Sequence, residues 1–487
     1  MFSKTIVVLL CVLSVAYGLK SILTAEADAD KVSMMPGGDA IKQSFGFSGY
    51  LAVNGSEGLS KQQHYWFVES QDGNDNAPVA FWTNGGPGCS GLLGAFTEQG
   101  PFLTKSADGT LTENPYAWNK NVHMVFIEQP CGVGFSYSTA TDTKEDYTAN
   151  DASAALDNYN LIQAFMVRFP SLAKNALYLT SESYGGHYLP TLSKVIVDKN
   201  SAAQDPVLNF KGFAVGNPAT TSYSITPAML DTYWGHQIIP KPLWDKWTST
   251  CGSFGTKAKN AEECETMFLE IYAKVSDINP YAMDFPACLS DSEDASPVWR
   301  GQSAALLRHS LGHFQESSLK TLGLADDVDY EPCADDYLGA YLNRADVKEA
   351  LHVKADIKWS DCSREISYAH GEVYEDMTTY YKYLLEGNDK YKLDILVYSG
   401  DDDAVCATIG TQDWIYGLGY APAKGNDWRA WKTEDGQLAG YLTKFSGARL
   451  AFATIHGAGH EVPTYKPDAA LQMFTEYIAG SLTSESE

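Results

Sequence analysis

Four short stretches of this 487-residue chain concentrate residue types that can do chemistry. Thr180 to Pro190 reads T-S-E-S-Y-G-G-H-Y-L-P and lies between an apolar run of strand composition, Asn175 to Thr180, and a helical repeat of Tyr188, Leu189, Leu192, Val195 and Ile196. A serine held at such a strand-to-helix turn stands clear of its backbone, and the N–H groups of the new helix point where an oxyanion would develop. Ser183 is therefore a candidate nucleophile. The usual elbow reads G-x-S-x-G, and here Ser181 replaces the first glycine. Two further stretches, Gly400-Asp401-Asp402-Asp403 and His456-Gly457-Ala458-Gly459-His460-Glu461-Val462-Pro463, bring the carboxylates and imidazoles that could activate a hydroxyl. The fourth, Asn84 to Gly91 (N-G-G-P-G-C-S-G), lacks the Gly-Lys-Ser/Thr of a phosphate loop, but its glycines allow backbone N–H groups to approach a ligand closely.

Each stretch follows a run that reads as a strand. Pro78 to Thr83 leads into the glycine loop, Leu393 to Ser399 into the aspartates, and Arg449 to Ile455 into the histidines. His123 to Gln129 and Val207 to Gly216 are further apolar strands, and Asp151 to Phe169 is an amphipathic helix stopped by Pro170. Upstream, Ser44 to Val53 and His64 to Ser70 form an expected antiparallel pair turning at Asn54-Gly55. Strands that alternate with helices imply an α/β chain with a mostly parallel central sheet. Serine, aspartate and histidine in that order, each beyond a strand, match the triad order of the α/β-hydrolase fold, though spacing alone does not choose among the three aspartates.

The alternation stops between Asn217 and Asn343, an aromatic, proline-punctuated region with four cysteines. The expected organisation is a core in two parts, 41–216 and 344–487, with 217–343 as a disulfide-stapled cap insertion over the sheet's C-terminal edge. Residues 1–18 read as a signal peptide ending in small residues, and 19–40 as a propeptide or flexible arm. No later apolar run is long enough to span a membrane. The net charge of −26 excludes nucleic acid as an expected partner, because phosphates need Lys and Arg. Eight of nine cysteines remain after Cys11 leaves with the signal, none with zinc-ligand spacing, so neither a metal nor another cofactor is expected. Asn54-Gly55-Ser56 is an N-glycosylation acceptor. The expected location is the secretory pathway, ending in a vacuole- or lysosome-like compartment or outside the cell.

From about Phe47 onward the chain resembles the serine carboxypeptidases. The resemblance rests on N-G-G-P-G-C-S at Asn84 to Ser90, Q-P-C-G-V-G-F-S-Y at Gln129 to Tyr137, E-S-Y-G-G-H-Y-L-P at Glu182 to Pro190, G-D-D-D at Gly400 to Asp403 and H-G-A-G-H-E-V-P at His456 to Pro463. It implies Ser183 as nucleophile, His460 as general base and Asp403 as the residue that orients the imidazole, with the N–H groups of Gly86 and Tyr184 as oxyanion hole. His456 is then a packing residue and His187 a part of the elbow helix. Asn84, the N–H of Gly85, Glu98 and Glu182 would read the free carboxylate of a peptide or protein C-terminus. Crowded carboxyl groups can do so only by sharing a proton, which favours acidic pH.

Leu93, Phe96 and Glu461 are implied to shape side-chain specificity, broad with an apolar lean. The implied disulfides are Cys89–Cys362, Cys251–Cys264 and Cys288–Cys333, with Cys131 and Cys406 as free thiols. The expected activity is release of single C-terminal amino acids through an acyl-enzyme. Its alternatives are acyl transfer to an alcohol, as in some plant relatives, and a protective partnership with other hydrolases. A homodimer is compatible with the resemblance.

Overall fold

Runs that are apolar on both faces can be buried only between two layers, which is what happens to the central strands. In the computed structural model of the protein, described for residues 24–202, 207–252, 261–275, 278–288, 330–369 and 375–484, every residue of five of them is buried: β3 (Val79–Thr83), β4 (His123–Ile127), β5 (Leu177–Glu182), β7 (Asp394–Gly400) and β10 (Leu450–Ile455). The main sheet also contains β1 (Phe47–Gly55), β2 (Gly58–Val68), β6 (Phe210–Gly216), β8 (Arg429–Lys432) and β9 (Leu438–Lys444). Their order is β1-β2-β4-β3-β5-β6-β7-β10-β9-β8, with the short Tyr137–Ser138 strand pairing β2. The six strands from β4 to β10 run parallel, and antiparallel pairs close both margins.

Two layers of helices cover the sheet. α3 (Asp151–Arg168) and α4 (Gly185–Ser201) lie against each other on one face. Leu161, Ile162 and Phe165 of α3 and Leu189, Leu192 and Ile196 of α4 share a core with Phe81, Leu179 and Val397. α9 (Thr378–Glu386) and α10 (Thr408–Gly417) extend this layer through Tyr381 and Trp414. On the opposite face α2 (Leu92–Thr97) and α11 (Pro467–Ile478) pack into a second core with Trp82, Trp118 and Phe474. Trp118 and Phe474 stack at 4.1 Å. The fold is that of the α/β hydrolases. No helix of the described residues is long and apolar enough to cross a membrane.

Register decides what emerges at the sheet's C-terminal edge. Thr83 pairs with Ser181, Gly216 with both Glu182 and Tyr398, and Gly400 with Ile455. The residues that follow, Asn84, Ser183, Asn217, Asp401 and His456, therefore leave the sheet along one line.

In the insertion, the described helices are α5 (Ser222–Gly235), α6 (Lys241–Thr250), α7 (Ala261–Tyr272) and α8 (Ala334–Leu342). Met229, Tyr233, Trp247 and Phe268 pack with Tyr184 and Tyr188 of the elbow region in a third core. Disulfides join Cys251–Cys264, Cys288–Cys333 and Cys89–Cys362, the same pairings that the resemblance implies. Cys131 and Cys406 are free and buried.

Two expectations differ from the structure. The stretch 24–40 is no loose arm. The short helix α1 (Ala25–Ala29) is capped by Thr24, Val32 and Met35 are buried, and the Asp30 carboxylate takes a 2.7 Å hydrogen bond from Tyr65 and an ion pair from Arg168. Its missing periodicity reflects burial as an irregular strap. The first hairpin turns at Ser56-Glu57, two residues later than expected, because Gly58 (φ 69°) supplies the left-handed residue while Gly55 still pairs with Gly58. The expected signal peptide lies outside the described residues.

Candidate active site

Ser183 has φ 58°, a left-handed conformation that is costly for a residue other than glycine. Neighbouring backbone holds it there. Its N–H donates to the Gly216 carbonyl at 3.0 Å, and its carbonyl accepts from Gly186 N at 2.9 Å and Ala219 N at 2.9 Å. Ser181 takes part in this arrangement. Its Oγ donates to the Thr83 carbonyl at 2.5 Å across the β5–β3 pairing and occupies the space a Cβ on Gly185 would need. The hydroxyl that breaks the glycine pattern thus has a buried partner, so the steric strain a bulkier residue would bring is absent.

Each of the three aspartates has a different partner. Asp401 faces His456, with Oδ2 2.8 Å from Nδ1, and accepts from Gly457 N at 2.7 Å. His456 is consequently an exposed residue hydrogen-bonded to Asp401 and not the packing residue expected. Asp402 turns to the insertion, where Oδ2 accepts from Asp284 N at 3.0 Å. Asp403 receives the Nδ1–H of His460 at 2.7 Å, with both side chains fully buried. Three more donors anchor the Asp403 carboxylate: Val405 N at 2.7 Å, Cys406 N at 3.1 Å and Asn217 Nδ2 at 2.8 Å. Burial of the His460 ring disfavours its charge, but the charge and hydrogen bond of Asp403 outweigh it, and the imidazole is held above its ordinary value. His460 Nε2 and Ser183 Oγ are buried and make no hydrogen bond to described protein atoms.

Asn217 is the site residue that sequence reasoning missed. In sequence it stands at the start of the insertion, but its side chain joins the ends of two strands: Oδ1 accepts from Gly400 N at 2.9 Å while Nδ2 holds Asp403. The signal was present in Gly216-Asn217-Pro218, since asparagine tolerates the φ of 38° found there.

A second polar cluster surrounds Asn84. Its Oδ1 accepts from Trp82 Nε1 at 2.7 Å and Gly94 N at 3.1 Å, which leaves Nδ2 to donate to Glu98 Oε1 and Glu182 Oε1, both at 2.9 Å. All three side chains are buried. Burial, reinforced by the nearby charge of Glu461, raises the Glu98 carboxyl to about 8 against the opposing hydrogen bonds of Asn84 and Glu182. Glu461 is itself raised by burial and receives a long hydrogen bond, 3.4 Å, from Tyr465. At Gly86, φ is 116° and a Cβ would come within 2.6 Å of Gly88 N, so only glycine fits the loop. Tyr184 caps α4 directly after Ser183. Gly85 begins the same glycine loop. Phe96 stacks on Trp66 at 4.7 Å, a core position, and Leu93 is also buried.

His187 belongs to α4 as expected, and its Nδ1 meets Asp151 at 2.9 Å. Asp151 also accepts from Tyr184 and Tyr368, so this second His–Asp pair fastens the elbow helix to α3. The Gln129–Tyr137 motif surrounds a structural carboxylate, Glu128, which accepts from Phe135 N and Trp359 Nε1, both at 2.8 Å, and from Ser90. Burial pushes the Cys131 thiol up to about 12 and the Cys406 thiol well above its usual value, which makes both poor nucleophiles.

The chain is similar to known proteins over most of its length. A family model described as serine carboxypeptidase matches residues 36–480. Serine carboxypeptidase-like 31 of Arabidopsis thaliana is 34% identical over 475 residues, covering 95% of this chain and 90% of the relative. Serine carboxypeptidase-like 26 of the same plant is 32% identical over 459 residues, covering 93% of each. Among solved structures, the prohormone-processing carboxypeptidase Kex1 of Saccharomyces cerevisiae shares the fold with a TM-score of 0.66 at 20% identity, over 88% of this chain and 90% of that one. The chain belongs to the serine carboxypeptidase family.

Proposed function

We propose that the protein is a serine carboxypeptidase that removes single amino acids from the free C-terminus of peptides and proteins. Ser183 Oγ attacks the last peptide carbonyl as His460 Nε2 takes its proton. Asp403 keeps the imidazole oriented with Nδ1–H inward, and the N–H groups of Gly86 and Tyr184 receive the oxyanion. His460 then protonates the departing amino acid, and water releases the acyl group from Ser183 by the reverse path.

The observation that carries the exopeptidase reading is the Asn84–Glu98–Glu182 cluster. Its Asn84 amide is fixed by Trp82 and Gly94, and its Glu98 carboxyl remains protonated up to about pH 8. A neutral acid can donate a hydrogen bond to a substrate carboxylate that an ionised one would repel. Together with the N–H of Gly85, the set reads the chain end, and binding tightens toward acidic pH. The attack needs neutral His460, whose raised value limits the rate from the acid side. Glu461 beside His460, together with Leu93 and Phe96, shapes the pocket for the leaving residue, with tolerance of Lys or Arg added to a broad, apolar preference. Residues 217–343 act as the cap over this pocket.

The test is release of free amino acids from a blocked dipeptide by the purified protein beside Ser183→Ala, with an alcohol acceptor present in a parallel reaction. The expected result is amino-acid release, reduced by at least about 10⁴-fold in the variant. Acyl-alcohol as the main product would replace this reading by acyl transfer. Equal activity of the variant would remove Ser183 from the chemistry.

A further inference from the structure

Beyond the catalytic set, one imidazole and two carboxylates from three separate segments converge. His236 follows α5, Asp284 lies in the segment 278–288, and Asp402 lies in the loop after β7. One potential ligand atom from each falls within 4.8 Å of the others. Asp402 is 3% exposed, and although its Oδ2 accepts from Asp284 N, its Oδ1 is buried with no hydrogen-bond partner among the described residues. Burial and the negative charges of Asp284, Asp401 and Asp403 together disfavour ionisation of Asp402. A buried carboxyl in that setting is costly as an anion unless a proton or a cation neutralises it, and the imidazole and second carboxylate beside it are groups that hold a cation.

We propose that His236, Asp284 and Asp402 form a binding site for a divalent cation of the zinc class. One imidazole with two carboxylates suits zinc, whereas calcium takes oxygen ligands alone. Ligands on a tetrahedral zinc with bonds of about 2.1 Å stand about 3.4 Å apart, so binding requires the exposed His236 and Asp284 side chains to draw in from the present spacing toward the buried Asp402. The cation ties the end of α5 to the segment that supports the catalytic loops. In that segment Met283 N donates to the Asp402 carbonyl at 3.2 Å, the Pro280 carbonyl accepts from Ala404 N at 2.9 Å, and the Tyr281 carbonyl accepts from His460 N at 2.7 Å. The site is structural, and it does not depend on which acyl substrate Ser183 uses.

Titration of the chelator-stripped, full-length protein with zinc chloride in a calorimeter tests the site, with His236→Ala and Asp284→Asn in parallel. Both replaced residues are exposed, and melting curves in EDTA that match the wild type verify that the variants fold. The expected result is one zinc ion per chain at micromolar concentration, a zinc-dependent rise of the thermal midpoint, and at least about tenfold weaker binding in each variant. Absence of binding, binding only at millimolar zinc, or equal binding by wild type and variants would overturn the site. The last result would assign the metal to the acidic surface.

Discussion

Replacing Glu98 by glutamine isolates the role of a single proton. The neutral acid and the amide are nearly isosteric, and glutamine Oε1 can still accept from Asn84 Nδ2. If only the protonated form binds a peptide carboxylate, KM rises with the factor 1 + 10^(pH − pKa). With Glu98 at about 8, that factor is about 1.1 at pH 7 and about 11 at pH 9. Initial rates with a blocked dipeptide and its C-terminal amide, measured from pH 6 to 9, should therefore show a roughly tenfold rise of KM for the wild type with the peptide alone. In Glu98→Gln the rise should flatten to less than about twofold. Stability should follow the same proton. A carboxyl whose folded value is raised holds its proton after the unfolded chain has released it, so the wild type loses stability from about pH 4.5 to about pH 8. The glutamine variant should lack this loss. An undiminished tenfold rise in the variant, or the same rise with the amide substrate, would refute the assignment of Glu98 to the substrate's carboxylate.

Asn217→Ala removes one of the anchors of Asp403 and should lower kcat by about 10- to 100-fold with KM nearly unchanged, since the residue positions the acid and touches no substrate. An unchanged kcat would show that the backbone donors of Val405 and Cys406 suffice. Ser181→Gly deletes the buried hydrogen bond to Thr83 and should cost about 1–2 kcal/mol of stability while kcat changes by no more than a few-fold. Loss of activity without loss of stability would contradict that account. Produced in a eukaryotic secretory host, the protein should lose mass on endoglycosidase treatment, and Asn54→Gln should abolish the shift, because Asn54 is exposed at the first hairpin.

The parallel strands and the elbow were legible because burial on both faces demands continuous apolar runs, and Thr180 to Pro190 changes from one periodicity to another at Ser183. The aspartate cluster was not legible from the residues alone. Asp401, Asp402 and Asp403 are chemically identical, and only the backbone beyond Gly400 sends one to His456, one to the insertion and one to His460. Asn217 escaped because its role is to join β6 to the end of β7, a contact across 183 residues that no local pattern encodes. The same reason hid the convergence of His236, Asp284 and Asp402, since metal-ligand spacing can be searched only when ligands are neighbours in sequence. The order of the strap at 24–40 is not legible locally, because it comes from partners such as Tyr65 and Arg168 and not from its own periodicity.

The backbone bonds from Pro280, Tyr281 and Met283 to the loops that carry Asp403 and His460 have a consequence for protein engineering. Cap regions are attractive units to exchange between related enzymes when selectivity is to be altered and turnover preserved. In this protein the proposed cap lends its own main chain to the loop that carries His460, the proposed base. On that reading, a graft that conserved Ser183, Asp403 and His460 but shifted the 280–284 backbone would change turnover along with selectivity, so the join must be made outside that segment.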